Sequence, residues 1–384
     1  MQRTLEKVFF ALLRFEINGD ELCEDVKNLI TSETLPALFA LAKKHDLAHL
    51  IGDALDKNGL LPDGTEAKKR FLQERNMAVY RYEQMQYEFE QICATLENAK
   101  IPFIPLKGSV IRKYYPEPWM RTSCDIDILV QEGDLKQAIK NLEKELKYTA
   151  NEKKGYHDIS LFSESGIHLE LHHSLCENLE NIDSLLARAW IYVIPQVTTY
   201  EKQFTTSYFL FHVVAHMLYH FQRGGCGTRP LLDLWLLRRR FLEEQRLTEL
   251  LRECGIVTFY QTMVELSECW FGEGVHNEKT LRVQEYLLQA GIYGTQKNRD
   301  LADTVKTGSR KKRALRYLFL PYKNMVILYP ILAKAKILLP FFHVWRWVTR
   351  IFRIKKALKT TESILTQSQD EIEEIRVLFE MLNI

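Results

Sequence analysis

The sequence lacks most of the signatures that identify a chain at sight. Its seven cysteines (Cys23, Cys93, Cys124, Cys176, Cys226, Cys254 and Cys269) are odd in number and scattered, with no Cys-x-x-Cys pair. That pattern signals neither a disulfide framework nor a zinc ribbon and fits a reducing compartment. Only 17 Gly and 11 Pro occur in 384 residues, which excludes collagen-like and low-complexity classes. There is no Gly-x-Gly-x-x-Gly and no Gly-x-x-x-x-Gly-Lys-Ser/Thr, so the usual dinucleotide and P-loop fingerprints are missing. No clean apolar run reaches the roughly 18 residues of a membrane span. The N-terminal apolar patch is broken by Arg14 and lacks a small-residue cleavage site, so secretion is not expected and the cytoplasm is. No fixed-period repeat is visible.

What is present is an ordinary folded chain, 46% hydrophobic and 27% charged, long enough for two or three domains at roughly 150 residues each. The net charge of +2 hides an asymmetry. Residues 304–359 hold fifteen of the 52 Lys and Arg and none of the 50 Asp and Glu, so the rest of the chain is acidic.

Four regions follow from periodicity. Residues 1–98 place apolar side chains three and four apart (Leu5, Val8, Phe9, Leu12, Leu13; Leu35, Leu38, Phe39, Leu41), which predicts helices. The last of these is a long amphipathic helix from Glu66 to Ala99, long enough to pack across another domain. Residues 99–180 change character. The run Ile101–Leu106 predicts a strand whose prolines suit an edge, ending at Lys107-Gly108-Ser109. A helical turn or two over Val110–Tyr115 and a loop lead to Asp125-Ile126-Asp127-Ile128-Leu129-Val130, which alternates at period two. Asp125 and Asp127 therefore share one face of a strand, and Ile126 and Ile128 the other. A helix capped by Asp134 runs to about Leu146, and strands are expected over Tyr156–Phe162 and Ile167–Leu171. In the latter, His168, Glu170 and His172 share a face. Residues 181–303 return to helix, including Ser207–Phe221 and Leu231–Arg252. Residues 304–384 form a basic, proline-punctuated arm and an acidic helix over Ser368–Ile384. The expected class is α+β: a small mixed sheet flanked by N-terminal and C-terminal helical regions.

The chemistry concentrates in the sheet. Two carboxylates two residues apart on one strand face repel unless a cation intervenes, and hard oxygen donors suit Mg²⁺ or Mn²⁺ bridging to phosphates. Gly108-Ser109, at a strand end opening a helix, offers backbone N–H groups to a phosphate. Each residue also has a plain structural explanation: Ser109 as a helix cap, Glu170 on a solvated strand face, Lys107 and Arg121 balancing acids.

Leu106-Lys107-Gly108-Ser109, Tyr115-Pro116, Arg121, the Asp-x-Asp strand and Leu169-Glu170-Leu171-His172 together resemble the polymerase-β-like nucleotidyltransferase superfamily. More closely, they resemble the bacterial uncharacterised nucleotidyltransferase family. Its downstream helical His, Arg and Asp are similar to His216, Arg229 and Asp233, and its C-terminal proline-bearing basic region is similar to Tyr329-Pro330 and Leu338-Leu339-Pro340. The resemblance covers roughly residues 95–350. It implies that Asp125, Asp127 and Glu170 hold catalytic metal ions, that Lys107, Gly108, Ser109 and Arg121 bind the nucleotide, and that a nucleoside monophosphate passes from an NTP to a small-molecule or protein acceptor. The fifteen residues from Ser109 to Asp125 exceed the separation in many superfamily members. A non-catalytic, antitoxin-like binding protein and a membrane-peripheral factor are the competing functions.

The remaining motifs have structural explanations. His212, His216 and His220 recur every fourth residue, but Val213 stands where a metalloprotease needs its Glu. Interhelical hydrogen bonds suit them better, with His216 directed toward Asp233. Arg229 and Asp233, four apart, pair with each other or line the cleft. Cys124 and Cys226 are expected to be inert. The aromatic and basic stretch over residues 310–359, with Arg346, Arg350, Arg353, Lys355 and Lys356, fits packing on the acidic N-terminal helices. An anionic membrane surface at the inner face is the second option, and nucleic acid the third.

Overall fold

The computed structural model describes residues 2–151, 157–195, 198–241, 245–292, 294–349 and 354–384, with backbone only for residues 327 and 354–359. The N-terminal region contains α1 (Gln2–Asn18), α2 (Glu24–Lys27), α3 (Leu35–Lys44), α4 (Ala48–Lys57) and α5 (Glu66–Asn98). Thr65 caps α5 by accepting from the Lys68 N–H, and with no Pro or Gly in 33 residues the helix runs unbroken over about 50 Å.

The sheet module follows as β1 (Phe103–Pro105), α6 (Lys107–Ile111), β2 (Asp125–Val130), α7 (Leu135–Leu146), β3 (Thr149–Ala150), β4 (Asp158–Phe162) and β5 (His168–His172). The strand order is β1-β2-β5-β4-β3. Only β2 and β5 run parallel; the other neighbours are antiparallel. This is the expected α+β class with a mixed sheet. As the prolines suggest, β1 is the end strand of the ladder, though residues 200–202 bridge its outer edge through Phe103 N–H to Tyr200 O and Lys202 N–H to Phe103 O. Two local expectations change. The Asp134 side chain makes no capping bond, and Tyr156, the expected start of β4, lies outside the described residues.

The C-terminal half holds α8 (Asp183–Leu186), α9 (Thr206–Phe221), α10 (Arg229–Arg240), α11 (Gln245–Glu253), α12 (Val257–Phe271), α13 (Glu278–Ala290) and α14 (Gln296–Thr307). The single helix expected over Leu231–Arg252 is two, because the chain turns extended at Phe241. The arm contains α15 (Arg310–Leu318), α16 (Tyr322–Leu328) and α17 (Leu339–Thr349), with α18 (Ile354–Leu365) and α19 (Gln369–Leu382) after it. Where the arm was expected to pack on the acidic N-terminal helices, the ion pairs it makes among the described residues lie with α14. The ion pairs of Arg313 run to Asp300 and Asp303 on α14, and Arg310 donates to the carbonyls of Leu365 and Gln367. Arg350 and Arg353 lie outside the described residues, as do the side chains of Lys355 and Lys356. Among the described residues, no helix is long and apolar enough to cross a membrane.

Two cores meet at the sheet. Ile126, Ile128 and Val130 on β2, with Leu169 and Leu171 on β5, pack against α5 and α7. Leu129, on the opposite face of β2, joins the large helical core built from α1, α3, α4, α9, α10 and α12. Burial on both faces holds the register of β2, and with it the direction of its aspartates.

Candidate active site

Parallel pairing sets Asp125 opposite His168 and Asp127 opposite Glu170, all on the face turned from α5. That face forms one wall of a cleft of about 360 Å³, closed from the other side by α9 and the start of α10. Six carboxylates (Asp125, Asp127, Asp158, Glu170, Glu177 and Asp233) line the cleft against three permanent bases, Lys107, Arg121 and Arg229.

Each base already has an acidic partner. Lys107 Nζ lies 3.1 Å from Asp127 Oδ1. Its backbone sits at φ +42°, in the left-handed region that a lysine adopts only under constraint. Arg121 is buried, its Nε 2.8 Å from Asp233 Oδ1 and its Nη2 2.9 Å from Oδ2, while Tyr115 Oη donates to Oδ1 at 2.7 Å. The guanidinium that the sequence resemblance offered to a phosphate borders the cleft with its Nε and Nη2 held by Asp233. Arg229 Nη1 reaches Asp46 Oδ2 at 2.7 Å, not Asp233. The pairing expected across one helical turn is replaced by two partners from distant segments, because Asp233 is claimed by Arg121.

The aspartate pair is electrostatically split. Asp127 Oδ1 also receives His172 Nε2 at 2.8 Å. Burial opposes the charge of Asp127, but Lys107 and His172 outweigh it and hold the carboxyl far below its ordinary value. His172 is shifted upward: burial works against its charge, and hydrogen bonds to Asp127 and Glu170 overcome it. Asp125 moves the other way from Asp127, raised by burial and then by the charges of Asp127 and Glu170.

The donor set fits a divalent cation. One atom each from Asp125, His168 and Glu170 lie within 4.8 Å of one another, and so do atoms from Asp127, Glu170 and His172. Glu170 belongs to both groups. The buried His168 Nε2 has no hydrogen-bond partner among the described residues, which suits a ligand atom held ready. Three carboxylates with flanking imidazoles match Mg²⁺, or Mn²⁺ more closely where nitrogen takes part.

Gly108 lines the cleft, and a Cβ there would come 2.9 Å from Ser123 Oγ, which would have to shift. Ser123 in turn donates to the Asp125 carbonyl at 2.8 Å, fixing the entry to β2. Ser109 is not among the residues lining the cleft, and α6, at five residues, has little dipole to offer.

Arg229 and Asp233 line the cleft, one of the two alternatives the sequence offered for them, but the partners of the histidines on the same wall were not foreseen. His216 Nδ1 binds Glu177 Oε1 at 2.8 Å, rather than pointing to Asp233, and its Nε2 lies 3.0 Å from His220 Nε2. Burial lowers both imidazoles, His220 to about 4, so they are neutral at pH 7. His212 is fully buried beneath them and, among the described residues, the three do not gather into a metal site. His172 was legible on the Glu170 face, but its role was not. Glu177 carried no signal, standing in irregular chain after β5. Burial pushes the Cys226 thiol up to about 12, which leaves it inert at neutral pH, and all seven cysteines are unbridged.

No curated protein and no solved structure matches the chain. One family's sequence model, described as an uncharacterised nucleotidyltransferase, matches residues 31–272. The match takes in α3 to α5, the whole sheet module and the helices that close the cleft, and it ends before the basic arm, which the sequence resemblance had included. The match covers more than half of the chain, which belongs to the uncharacterised nucleotidyltransferase family.

Proposed function

We propose that the protein transfers a nucleoside monophosphate from an NTP to an acceptor with release of pyrophosphate, dependent on Mg²⁺ or Mn²⁺. Family membership supports a transferase role and implies an NTP substrate. The observation that carries the metal-dependent chemistry is the register placing Asp127 beside Glu170 and Asp125 beside His168 on the cleft face. With six carboxylates against three bases, the cleft on its own repels a triphosphate.

Asp125, Asp127 and Glu170 would hold the cations, with His168 and His172 at their edge. When bound, the cations supply charge neutralisation at the phosphate oxygens and the leaving pyrophosphate. Lys107 and the bare backbone of Gly108 border the same face and are assigned to the phosphates. Glu170, more exposed than Asp127, is assigned to take the proton of an attacking hydroxyl as its oxygen bonds to the α-phosphorus and the α–β bridging bond breaks. Arg121 acts by position, tying the loop before β2 to Asp233 on α10. Ser109, away from the cleft lining, is left with a local role at the start of α6.

The test incubates the protein with each labelled NTP, Mg²⁺ or Mn²⁺, and cell extract as the acceptor source. The expected result is pyrophosphate release and label transfer that disappear in Asp125→Ala/Asp127→Ala. Mn²⁺ alone should raise the melting temperature of the parent and not of that variant. Absence of transfer with every nucleotide, or equal transfer by the double variant, overturns the assignment.

A further inference from the structure

We propose that residues 310–349 form a docking surface for an anionic lipid bilayer, independent of the chemistry in the cleft. Four side chains of α17 stand at helical spacing on one stripe and are exposed to water: Phe341 (60%), Val344 (64%), Trp345 (48%) and Val348 (58%). The rings of Phe341 and Trp345 stack at 6.4 Å and 13°. The other side of α17 is moored. Arg346 is buried and donates to the Leu318 carbonyl at 2.9 Å, and His343 meets Phe319 edge-on at 5.6 Å. The stripe is therefore presented to solvent by a helix fixed from behind.

The segment around it has the same character. Of the exposed large apolar side chains among the described residues, about half fall within this short span, Leu315, Ile331 and Ile337 among them. They alternate with the exposed bases Lys311, Lys312, Arg316, Lys323, Lys334 and Lys336, and no Asp or Glu occurs anywhere in residues 304–359. Pairing of Arg313 with Asp300, and of Arg310 with main-chain carbonyls, accounts for the other bases of α15.

Composition decides the occupant. Protein interfaces are depleted in lysine at their centres, whereas a surface interleaving Trp, Phe and aliphatic side chains with Lys and Arg, free of acids, matches the interfacial zone of a bilayer carrying negative headgroups. A polyanion such as RNA would account for the lysines but not for an aromatic and aliphatic stripe left in water. Since no described helix can span a bilayer, the attachment is peripheral and reversible.

Flotation of the full-length protein with vesicles of phosphatidylcholine alone, or mixed with phosphatidylglycerol, tests this. The expected result is partition onto the mixed vesicles only, weakened by salt. Lys334→Glu/Lys336→Glu and, separately, Phe341→Ser/Trp345→Ser should each lower the partition about tenfold or more. These positions are exposed, so both variants should melt with the parent. No partition onto anionic vesicles, or partition unchanged by both pairs of substitutions, overturns the proposal. Concentration-dependent dimerisation abolished by the aromatic pair, without lipid binding, assigns the stripe to a second copy instead. RNA binding lost only with the lysines, again without lipid binding, assigns the bases to nucleic acid.

Discussion

Replacing Asp233 with Asn should cost about 3–5 kcal/mol of stability, the range for removing one partner of a buried ion pair. The carboxylate is almost wholly buried and accepts from Arg121 Nε and Nη2 and from Tyr115 Oη, all within 2.9 Å. An amide of the same shape keeps one acceptor oxygen but turns two lone-pair sites into N–H groups facing the guanidinium. Arg121 is then a buried cation without a counter-charge, and Arg229, paired with Asp46, lies close enough for the two guanidinium charges to repel. Urea unfolding followed by tryptophan fluorescence should show the midpoint falling with an unchanged slope. At roughly 1–2 °C per kcal/mol for a chain of this length, the melting temperature should drop by about 5 °C. Arg121→Met/Asp233→Leu, which removes both charges and keeps the volume, should recover most of the loss. If Asp233→Asn stays within about 1 kcal/mol of the parent, and Arg121 variants instead raise the KM for NTP, the arginine serves the nucleotide and its positioning role is refuted.

Acid should destabilise the fold through its buried histidines. Burial lowers His45 from 6.5 to about 4, with Nδ1 against Thr228 Oγ1; the unfolded chain takes up a proton below about pH 6.5 that the folded chain refuses until about pH 4. Stability contributed by neutral His45 is thus complete above pH 6.5 and falls by at most about 3 kcal/mol as the pH drops to 4. His45→Gln should flatten that slope in chemical denaturation between these pH values, and an unchanged slope would sink the assignment. Gly225→Ala should destabilise by at least about 3 kcal/mol, because a Cβ there lies 2.3 Å from Ala290 Cβ at a φ of +114°. Adding Ala290→Gly should restore part of the loss in thermal melts by removing the clash and leaving the backbone strain.

The faces of the sheet were legible because period-two alternation is a local property. Asp125 and Asp127 had to project together, as did His168, Glu170 and His172. Which of these meet across strands was not legible, because β2 and β5 are joined by a long crossover whose pairing is set by packing on α5 and α7. For the same reason Arg229 and Asp233 looked like a pair from their four-residue spacing, while their actual partners, Asp46 and Arg121, stand 183 and 112 residues away. The break between α10 and α11 was hidden by continuous helix-forming residues, since extended backbone at Phe241 leaves no Gly or Pro as a marker.

The long helix α5 has a consequence for any attempt to dissect the chain. Its first half packs Phe71 into the helical core and anchors Arg75 to Asp53 and Asp56; its second half packs Met85, Ile92 and Leu96 under the sheet and receives the Tyr200 amide on Glu97. A cut on either side of it strips an apolar wall from one core or the other. The sheet is therefore indivisible from the N-terminal helices, and a fragment beginning at β1 should be recovered only as aggregate.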